Sequence, residues 1–364
     1  MLIIARTEPS VDLEPTNLPA GPQPATPEPQ AHWQQILAQS IRDAHVLCQR
    51  LQLPAIDTAH IQAASRDFPL LVPEPFLQRM HVGRLDDPLL LQVLPQIQEI
   101  NTQPQMQLDP LQEREYTPVA GIIHKYRGRV LLITQGACAI NCRYCFRRHF
   151  PYQEHTLSRA QWQASLQYIE ERPDIHEVIL SGGDPLATSD ARLAYLTQAI
   201  AKIPHVKRLR IHTRLPVVIP QRIDAACLAW LADLPIQVVM VLHINHAQEI
   251  DAQVQAAVAR LRALGVSLLN QSVLLAGIND SLQAQIDLSE ALFACGILPY
   301  YLHTLDPVQG AAHFDYPDEQ AQILVSELLA HLPGFLVPRL VREIPERASK
   351  TPLVLTSPSL SECT

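Results

Sequence analysis

The run VLLITQGACAINCRYCFRRHF, residues 130–150, joins a strongly apolar segment to three cysteines. Cys138, Cys142 and Cys145 are spaced C-x₃-C-x₂-C, and no fourth cysteine lies nearby in the sequence. Structural zinc normally has four protein ligands, whereas three thiolates can hold three irons of a cubane cluster and leave the fourth iron open to a small molecule. The spacing therefore favours a catalytic iron-sulfur cluster.

A zinc site remains an alternative at this point. It would use the three cysteines and take its fourth ligand from a distant cysteine or from one of the 15 histidines. The other cysteines, Cys48, Cys227, Cys295 and Cys363, are scattered along the chain without a pairing pattern. Because unpaired cysteines and a labile cluster both suit a reducing compartment, we expect a cytoplasmic protein.

Length and charge limit the class of function. The chain has 364 residues, of which 47% are hydrophobic, so it can form one large domain with an accessory region. Its formal net charge of -8 disfavours nucleic-acid binding, which requires a basic face. The opening MLIIARTEPS does not have the pattern of a signal peptide, and no apolar run is long enough to span a membrane. These features favour small-molecule chemistry without nucleic acid or membrane.

The chain divides into segments of different composition. Residues 1–30 contain seven prolines and no aromatic residue, which predicts a flexible tail. Residues 31–115 carry apolar residues at helical spacing, as in WQQILAQSIRDAHVLCQRL, and predict an N-terminal helical region. Within it, RLDDPLL is typical of a capped helix start.

From residue 116 onward, β-rich runs alternate with amphipathic helical stretches. The six runs begin near Val130, Val178, Val206, Ile236, Val266 and Ile297. One helical stretch, AQEIDAQVQAAVARLRALG, ends at Gly265 as a helix C-cap should. Strict alternation predicts parallel strands with right-handed crossovers, in a doubly wound sheet or a barrel. Six units favour a partial (β/α)₆ barrel over residues 116–310, followed by a C-terminal segment, residues 311–364.

Polar residues follow each predicted strand, at the edge where the active sites of such barrels lie. In chain order these are the cysteine loop, Ser181-Gly182-Gly183-Asp184-Pro185, the group Arg210, His212 and Arg214, the run His243-Ile244-Asn245-His246, Asn270-Gln271-Ser272, and the group Tyr300, Tyr301, His303 and Asp306. Any single ending could be a helix cap. Six together predict an active site.

With these motifs in this order, the chain resembles the lysine 2,3-aminomutase family of radical S-adenosylmethionine (SAM) enzymes. The resemblance covers roughly residues 65–355 and is carried by CRYCFRRHFPY, SGGDP, RLRIHTRLPVVIPQRI, HINHA, LLNQSVLLAGIND, PYYLHTLDPVQGAAHF and SKTPL. Within the family, the chain is similar to members that supply β-lysine for modification of translation elongation factor P. The resemblance implies an isomerase that converts L-α-lysine to (R)-β-lysine.

The resemblance also implies three cofactors. It places a [4Fe-4S] cluster on Cys138, Cys142 and Cys145, the methionyl part of SAM at Gly182, Gly183 and Asp184, the nucleoside side of SAM at His243 and Gln271, and pyridoxal 5′-phosphate (PLP) on Lys350 with Lys125, Tyr126 and Arg129 around its ring and phosphate. The glycines would allow the backbone to approach SAM closely. Outside this resemblance, Lys350 would be interpreted as a solvated lysine and the segment around Lys125 as a solvated basic turn.

Three further residues match positions that bind the substrate L-lysine in the family. Arg147 matches the clamp on the substrate carboxylate, a task that suits the planar fork of arginine. Asp306 and Glu343 match the acidic pair around the ε-ammonium, although the family commonly has Asp at the second position. The alternatives are a turn cap for Asp306 and a surface ion pair of Glu343 with Arg339 or Arg342.

The chain departs from the family at a zinc site between subunits. Ser281 follows Asn279-Asp280 where members that act on free lysine have cysteine, and the terminal segment offers only Cys363. We therefore expect no structural zinc. The sequence is compatible with a homo-oligomer but does not specify the number of subunits. The expected partners are L-lysine, an electron donor and, functionally, an elongation factor P lysine ligase.

Other functions remain as alternatives. A free-lysine or other amino-acid 2,3-aminomutase would share the same site. A radical SAM enzyme that modifies tRNA would need an appended basic domain, and a simple electron carrier would not need SGGDP or Lys350.

Overall fold

The computed structural model describes residues 33–54, 58–150 and 159–355. The predicted flexible tail, residues 1–30, and Cys363 lie outside this part of the chain. The α-helices are α1 (Trp33–Ala38), α2 (Ala44–Arg50), α3 (Thr58–Asp67), α4 (Glu74–Leu77), α5 (Pro88–Leu91), α6 (Arg159–Glu170), α7 (Asp190–Ala201), α8 (Leu215–Val218), α9 (Ala225–Ala232), α10 (Ala252–Ala263), α11 (Leu282–Ala294) and α12 (Asp318–His331). The strands are β1 (Ile122–Tyr126), β2 (Arg129–Gln135), β3 (Glu177–Gly182), β4 (Arg208–Thr213), β5 (Gln237–Leu242), β6 (Ser267–Val273), β7 (Leu298–His303), β8 (Arg339–Arg342) and β9 (Thr351–Pro352).

The described strands form one sheet whose order follows the chain, from β1 to β9. Strands β2 to β8 pair in parallel, while β1 and β9 are antiparallel additions at the two edges. Six β/α units, from β2–α6 to β7–α12, precede β8. This confirms the predicted partial (β/α)₆ barrel. Strand β8 lies beyond residue 310, so the parallel sheet takes one strand from the predicted C-terminal segment.

The alternation of residues along the strands separates the core from a cavity. On β4, Leu209 and Ile211 are fully buried in the main hydrophobic core, whereas Arg208, Arg210 and His212 line a cavity on the other face. Successive side chains of a strand point to opposite faces, so one strand serves both purposes. This explains why polar residues occur inside strands that are otherwise strongly apolar.

Helix ends follow the predicted capping pattern. Asp87 caps α5, where its Oδ1 accepts from the backbone N–H groups of Leu89 and Leu90 at 2.9 Å each. Gly265 follows α10 with a φ of +76°, the left-handed conformation that glycine adopts at helix C-termini. Among the described helices, none is both long and apolar enough to cross a membrane.

A buried ionic group joins the N-terminal helical region to the cysteine loop. Arg143, which is fully buried, donates from Nε to Glu99 at 2.8 Å and from Nη1 to the carbonyl oxygen of Phe68 at 2.6 Å. Arg148 donates to the same Glu99 carboxylate at 2.8 Å. One carboxylate thus compensates two arginines of the cysteine loop.

We predict that Glu99→Gln lowers the free energy of unfolding by about 3 kcal/mol, because it leaves two buried guanidinium groups without their counter-charge. Chemical denaturation of the apo protein measures this loss. The matched control is Asp86→Asn, which removes the partner of Arg84 in an exposed ion pair and should leave stability unchanged. Equal stabilities of the two variants would contradict the assignment of Glu99 as a structural link.

Candidate active site

One cavity of about 650 Å³ lies on the inner face of the parallel strands. All the residues that the sequence analysis assigned to cofactors or substrate line it, namely Lys125, Tyr126, Arg129, Cys138, Cys142, Cys145, Arg147, Gly182, Gly183, Asp184, His243, Gln271, Asp306, Glu343 and Lys350. The first and the last of these residues, Lys125 and Lys350, are more than 200 residues apart in the sequence. The fold therefore brings the whole predicted set together.

The three cysteines lie at one wall of this cavity. Burial raises the pKa of Cys145 to about 11, and the neighbouring Cys142 adds to the shift. Burial likewise raises the pKa of Cys138 well above its usual range. Three adjacent thiolates therefore need cationic compensation, which the irons of a cluster supply. Among the described residues, no three His, Cys, Asp or Glu side chains are arranged to hold one metal ion between them. A cubane cluster does not need such an arrangement, because each thiolate binds a different iron.

The glycine turn after β3 packs against the backbone that leads to the cysteines. Gly182 has a φ of +117°, and a Cβ atom there would lie 2.6 Å from the carbonyl oxygen of Gln135. A Cβ atom at Gly183 would overlap the carbonyl oxygen of Ala137. The sequence analysis expected these glycines to admit SAM. The structure shows that their small size is already needed for contact with the protein's own cysteine loop.

Asp184 holds this turn in place. Its Oδ1 accepts from Thr213 Oγ1 at 2.6 Å and from the N–H of Leu186 at 3.0 Å, while its Oδ2 accepts from the N–H groups of Arg214 at 2.8 Å and Leu215 at 2.9 Å. Burial raises the pKa of Asp184, and these hydrogen bonds oppose the rise. The carboxylate is thus occupied by protein donors, and its role in this structure is to hold the turn.

Residues near the predicted nucleoside side of SAM include buried polar atoms without a protein partner. Burial, together with Arg214 and Arg147, lowers the pKa of His243 to about 4, so its imidazole is neutral at physiological pH. Among the described residues, neither Gln271 Oε1 nor His303 Nε2 has a hydrogen-bond partner. Buried polar atoms normally have partners, so these atoms fit a bound polar ligand. The sequence placed His303 at a strand end but gave it no role.

Lys350 lines the cavity and shares the carboxylate of Glu343 with Lys125 and Tyr126. Glu343 accepts from Lys350 Nζ at 3.0 Å through Oε2, and from Lys125 Nζ at 3.0 Å and the Tyr126 hydroxyl through Oε1. Burial alone would raise the pKa of Glu343, but Lys350, Tyr126 and Lys125 together hold it below its usual value. The alternative of a surface ion pair with Arg342 is wrong, because Glu343 is buried and Arg342 pairs with Asp318.

Cationic groups near Lys350 suit a phosphate. The guanidinium of Arg129 stacks over the Tyr126 ring at 4.4 Å and lines the cavity. Arg210 also lines it; its Nη2 donates to Glu177 at 3.0 Å, and its buried Nε has no partner among the described residues. Arg210 was noted at a strand end but was not assigned to the cofactor. The donors fit the phosphate of PLP, which arginine binds well.

The two other predicted substrate residues differ in their surroundings. Burial raises the pKa of Asp306 to about 7, while Lys350 opposes the rise. Arg147 forms a two-point contact with Glu113, at 2.7 Å from Nε and 2.6 Å from Nη2, and its Nη1 donates to Ser181 Oγ at 3.1 Å. Glu113, which the sequence analysis did not identify, therefore fixes the orientation of the Arg147 guanidinium.

Comparison with known proteins shows the family to which this chain belongs. Residues 132–284 match the model of the radical SAM superfamily. The chain is 48% identical over 324 residues to a protein of Escherichia coli named L-lysine 2,3-aminomutase, which covers 89% of this chain and 94% of that protein. The chain belongs to the lysine 2,3-aminomutase family. A Haemophilus influenzae protein of the same name is 47% identical, covering 91% of this chain and 98% of the relative.

A longer member of the family is less similar. The L-lysine 2,3-aminomutase of Clostridium subterminale is 36% identical over 270 residues, which is 74% of this chain and 65% of that protein. The family's cofactors are a [4Fe-4S] cluster, SAM and PLP, and the residues around the cavity fit all three. Ser281 caps α11 by accepting from the N–H of Ala284 at 3.2 Å.

We predict that changing Cys138, Cys142 or Cys145 singly to Ala removes most of the iron and all turnover, because a cluster with three protein ligands has no substitute for a missing one. Iron analysis and the visible spectrum after anaerobic reconstitution measure the loss. Cys227→Ala and Cys295→Ala are the controls, since both thiols are buried outside the cavity. Full iron loading in any one of the three variants would contradict the ligand assignment.

Proposed function

We propose that this chain is an L-lysine 2,3-aminomutase that converts L-α-lysine to (R)-β-lysine. The observation that supports this most strongly is the cavity itself, which collects the three cysteines, the glycine turn, Lys350 and Asp306 on one face of the sheet. The similarity to relatives named for this activity extends over nearly their full length. The reaction is an isomerisation, so the enzyme needs no net oxidant.

When bound, the reduced cluster and SAM supply a carbon-centred radical that can remove hydrogen from an unactivated carbon, and PLP carries the migrating amino group. Cys138, Cys142 and Cys145 hold the cluster at one wall. Lys350 Nζ provides the amine for covalent attachment of PLP, and Glu343 holds that amine in position.

The ends of the substrate are bound by opposite charges. Arg147 lies beside the glycine turn, where its Nη1 donates to the carbonyl oxygen of Gly182, and its cationic guanidinium is the group that binds the substrate carboxylate. Glu113 orients this guanidinium by accepting from its Nε and Nη2. Asp306 binds the ε-ammonium, since its carboxylate lines the same cavity. Glu343 already accepts from three protein donors, so Asp306 carries more of the selectivity for a cationic side chain.

We further propose that the β-lysine is used to modify elongation factor P. The chain matches the Escherichia coli and Haemophilus influenzae relatives over 94% and 98% of their lengths, but only 65% of the clostridial relative, and it has Ser281 in place of the zinc-binding cysteine. Synthesis of β-lysine as a free metabolite is the second candidate. The test combines the reconstituted enzyme, lysine, SAM, PLP and dithionite with ATP, elongation factor P and a purified elongation factor P lysine ligase. Mass spectrometry should show β-lysyl addition that exceeds α-lysyl addition; equal rates with both isomers would favour the second candidate.

The activity is tested by anaerobic incubation of the reconstituted protein with L-lysine, SAM, PLP and dithionite. Chromatography of derivatised products against both enantiomers should show (R)-β-lysine. Formation of 5′-deoxyadenosine without any β-amino acid would contradict the aminomutase assignment, while leaving the radical SAM assignment intact.

For Lys350→Ala we expect loss of the visible absorbance of protein-bound PLP, because no other amine would be held at that position, and retention of the iron-sulfur spectrum. Borohydride reduction of the wild type followed by peptide mapping should place the pyridoxyl label on Lys350. The control is Lys202→Ala, an exposed lysine at the end of α7. A label on another lysine would refute the assignment.

For Asp306→Asn we expect a loss of roughly 10²- to 4 × 10³-fold in apparent lysine affinity, which corresponds to the cost of about 3 to 5 kcal/mol for removing one partner of a buried ion pair. SAM binding should change little. Asp287→Asn, on the exposed side of α11, is the control. Turnover of norleucine by the wild type at the rate seen with lysine would exclude an ammonium-binding role for Asp306.

The carboxyl group of Asp306 should also make the KM for lysine depend on pH. Its pKa of about 7 in the free protein means that the charged form, which attracts the ε-ammonium, prevails only above that pH. We therefore expect the KM for lysine to rise about tenfold as the pH falls from about 8 to about 6. The Asp306→Asn variant should lose this dependence; a wild-type KM that is constant over the range would contradict the raised pKa.

A further inference from the structure

The guanidinium of Arg214 lies against one of the three cysteines. Its Nη1 donates to Cys142 Sγ at 2.7 Å and to the Tyr144 hydroxyl at 2.7 Å, while its Nη2 donates to Gln92 Oε1 at 2.6 Å and to Glu249 Oε2 at 2.9 Å. Only 5% of Arg214 is exposed. A planar guanidinium with partners on both terminal nitrogens has a fixed orientation, so the N–H directed at the sulfur is fixed as well.

Glu249 fixes this arginine from the other side. It is fully buried, and its second oxygen accepts from the N–H of Asn245 at 2.9 Å and from Gln92 Nε2 at 3.2 Å. Asn245 also donates to the Tyr144 hydroxyl at 2.6 Å. The result is a neutral buried pair in which the arginine contacts the sulfur and the carboxylate contacts the arginine.

We propose that Arg214 sets the reduction potential of the iron-sulfur cluster through its charged hydrogen bond to Cys142, and that Glu249 limits this effect. Arg214 is a positioning residue, because it touches a ligand of the cluster rather than SAM or substrate. The inference depends on the [4Fe-4S] cluster of the proposed function, but not on the identity of the amino acid that the enzyme rearranges.

The sign of each contribution follows from charge. Reduction adds one electron, and the added negative charge is shared by irons, sulfides and thiolates. A cationic donor beside a thiolate stabilises the reduced state more than the oxidised state and therefore raises the potential. A carboxylate behind that donor has the opposite effect. Both effects are strong at this position because the surroundings are buried and poorly polarisable.

The proposal therefore predicts shifts of opposite sign for Arg214→Gln and Glu249→Gln. Reconstituted holoenzymes are titrated potentiometrically without SAM, with the reduced cluster followed by electron paramagnetic resonance. At a fixed ambient potential we expect the ratio of reduced to oxidised cluster to fall at least tenfold in Arg214→Gln, a shift of about 59 mV for one electron. In Glu249→Gln the ratio should rise. Shifts in the same direction, or no shift in either variant, would overturn the proposal.

Two further variants keep the test decisive. Arg222→Gln removes another fully buried arginine, bonded to Asp190 and to the carbonyl oxygen of Leu186, and should leave the potential unchanged; a shift equal to that of Arg214→Gln would overturn the proposal. If Arg214→Gln does not retain iron, the double variant Arg214→Gln/Glu249→Gln replaces it and is compared with Glu249→Gln alone. The ratio of reduced to oxidised cluster should then be at least tenfold lower in the double variant.

Failure of this proposal is distinguishable from failure of the proposed function. If the wild type forms no β-lysine but the potentials of Arg214→Gln and Glu249→Gln shift in opposite directions, the role of Arg214 is kept and the aminomutase assignment is rejected. A wild type that binds no cluster after reconstitution would reject both.

Discussion

The buried carboxylate of Asp184 is the contact on which the geometry of the cavity depends. Three of its hydrogen bonds join the end of β3 to the end of β4 and to the start of α8, and a fourth, from the N–H of Leu186, closes its own turn. The turn that it holds is pressed against the backbone of the cysteine loop, where no Cβ atom fits. The backbone N–H of Arg214 is one of its four donors, so the residue that contacts Cys142 is fixed by the same carboxylate. The cysteine loop, the glycine turn and Arg214 are thereby held in one arrangement.

Equivalent groups acquire different properties from their surroundings in this cavity. Asp306 and Glu343 both line the cavity, yet the pKa of Asp306 is raised to about 7 while that of Glu343 is lowered. The difference arises because three donors surround Glu343. One acid is therefore suited to hold Lys350, and the other to attract a cationic substrate. The long side chain of Glu343 suits the first task because its two oxygens accept from both lysines.

Periodic patterns in the sequence were sufficient to predict most of the fold. Strands β2 to β7 were predicted because each lies in a β-rich run, and these runs alternate with amphipathic helical stretches. Strands β1, β8 and β9 were not, since they are short and their alternation is weak; β9 has only two residues. The cysteine loop, the glycine turn, His243 and Asp306 share one cavity because the carboxyl ends of parallel strands meet at one edge. That rule does not cover Arg129, which begins β2, or Lys125, which lies on the antiparallel β1; their assignment came from the family resemblance.

The contacts between distant residues could not be predicted in the same way. Arg214 and Cys142 are 72 positions apart, and Arg147 and Glu113 are 34 apart. Nothing in the local sequence indicates which arginine faces which carboxylate or sulfur, because that choice depends on the packing of several elements at once. The glycine turn shows the same limit: its motif was recognised, but the backbone that it packs against was known only from the fold.

The most direct test of this account is an anaerobic crystal structure of the reconstituted enzyme with SAM, PLP and L-lysine. The account predicts electron density for a cluster on the three cysteines, PLP beside Lys350, and lysine between them with its carboxylate at Arg147 and its ε-ammonium at Asp306. C3 of that lysine should lie in van der Waals contact with the 5′ carbon of SAM. Lysine bound outside this cavity, or with its ε-ammonium directed away from Asp306, would contradict the account.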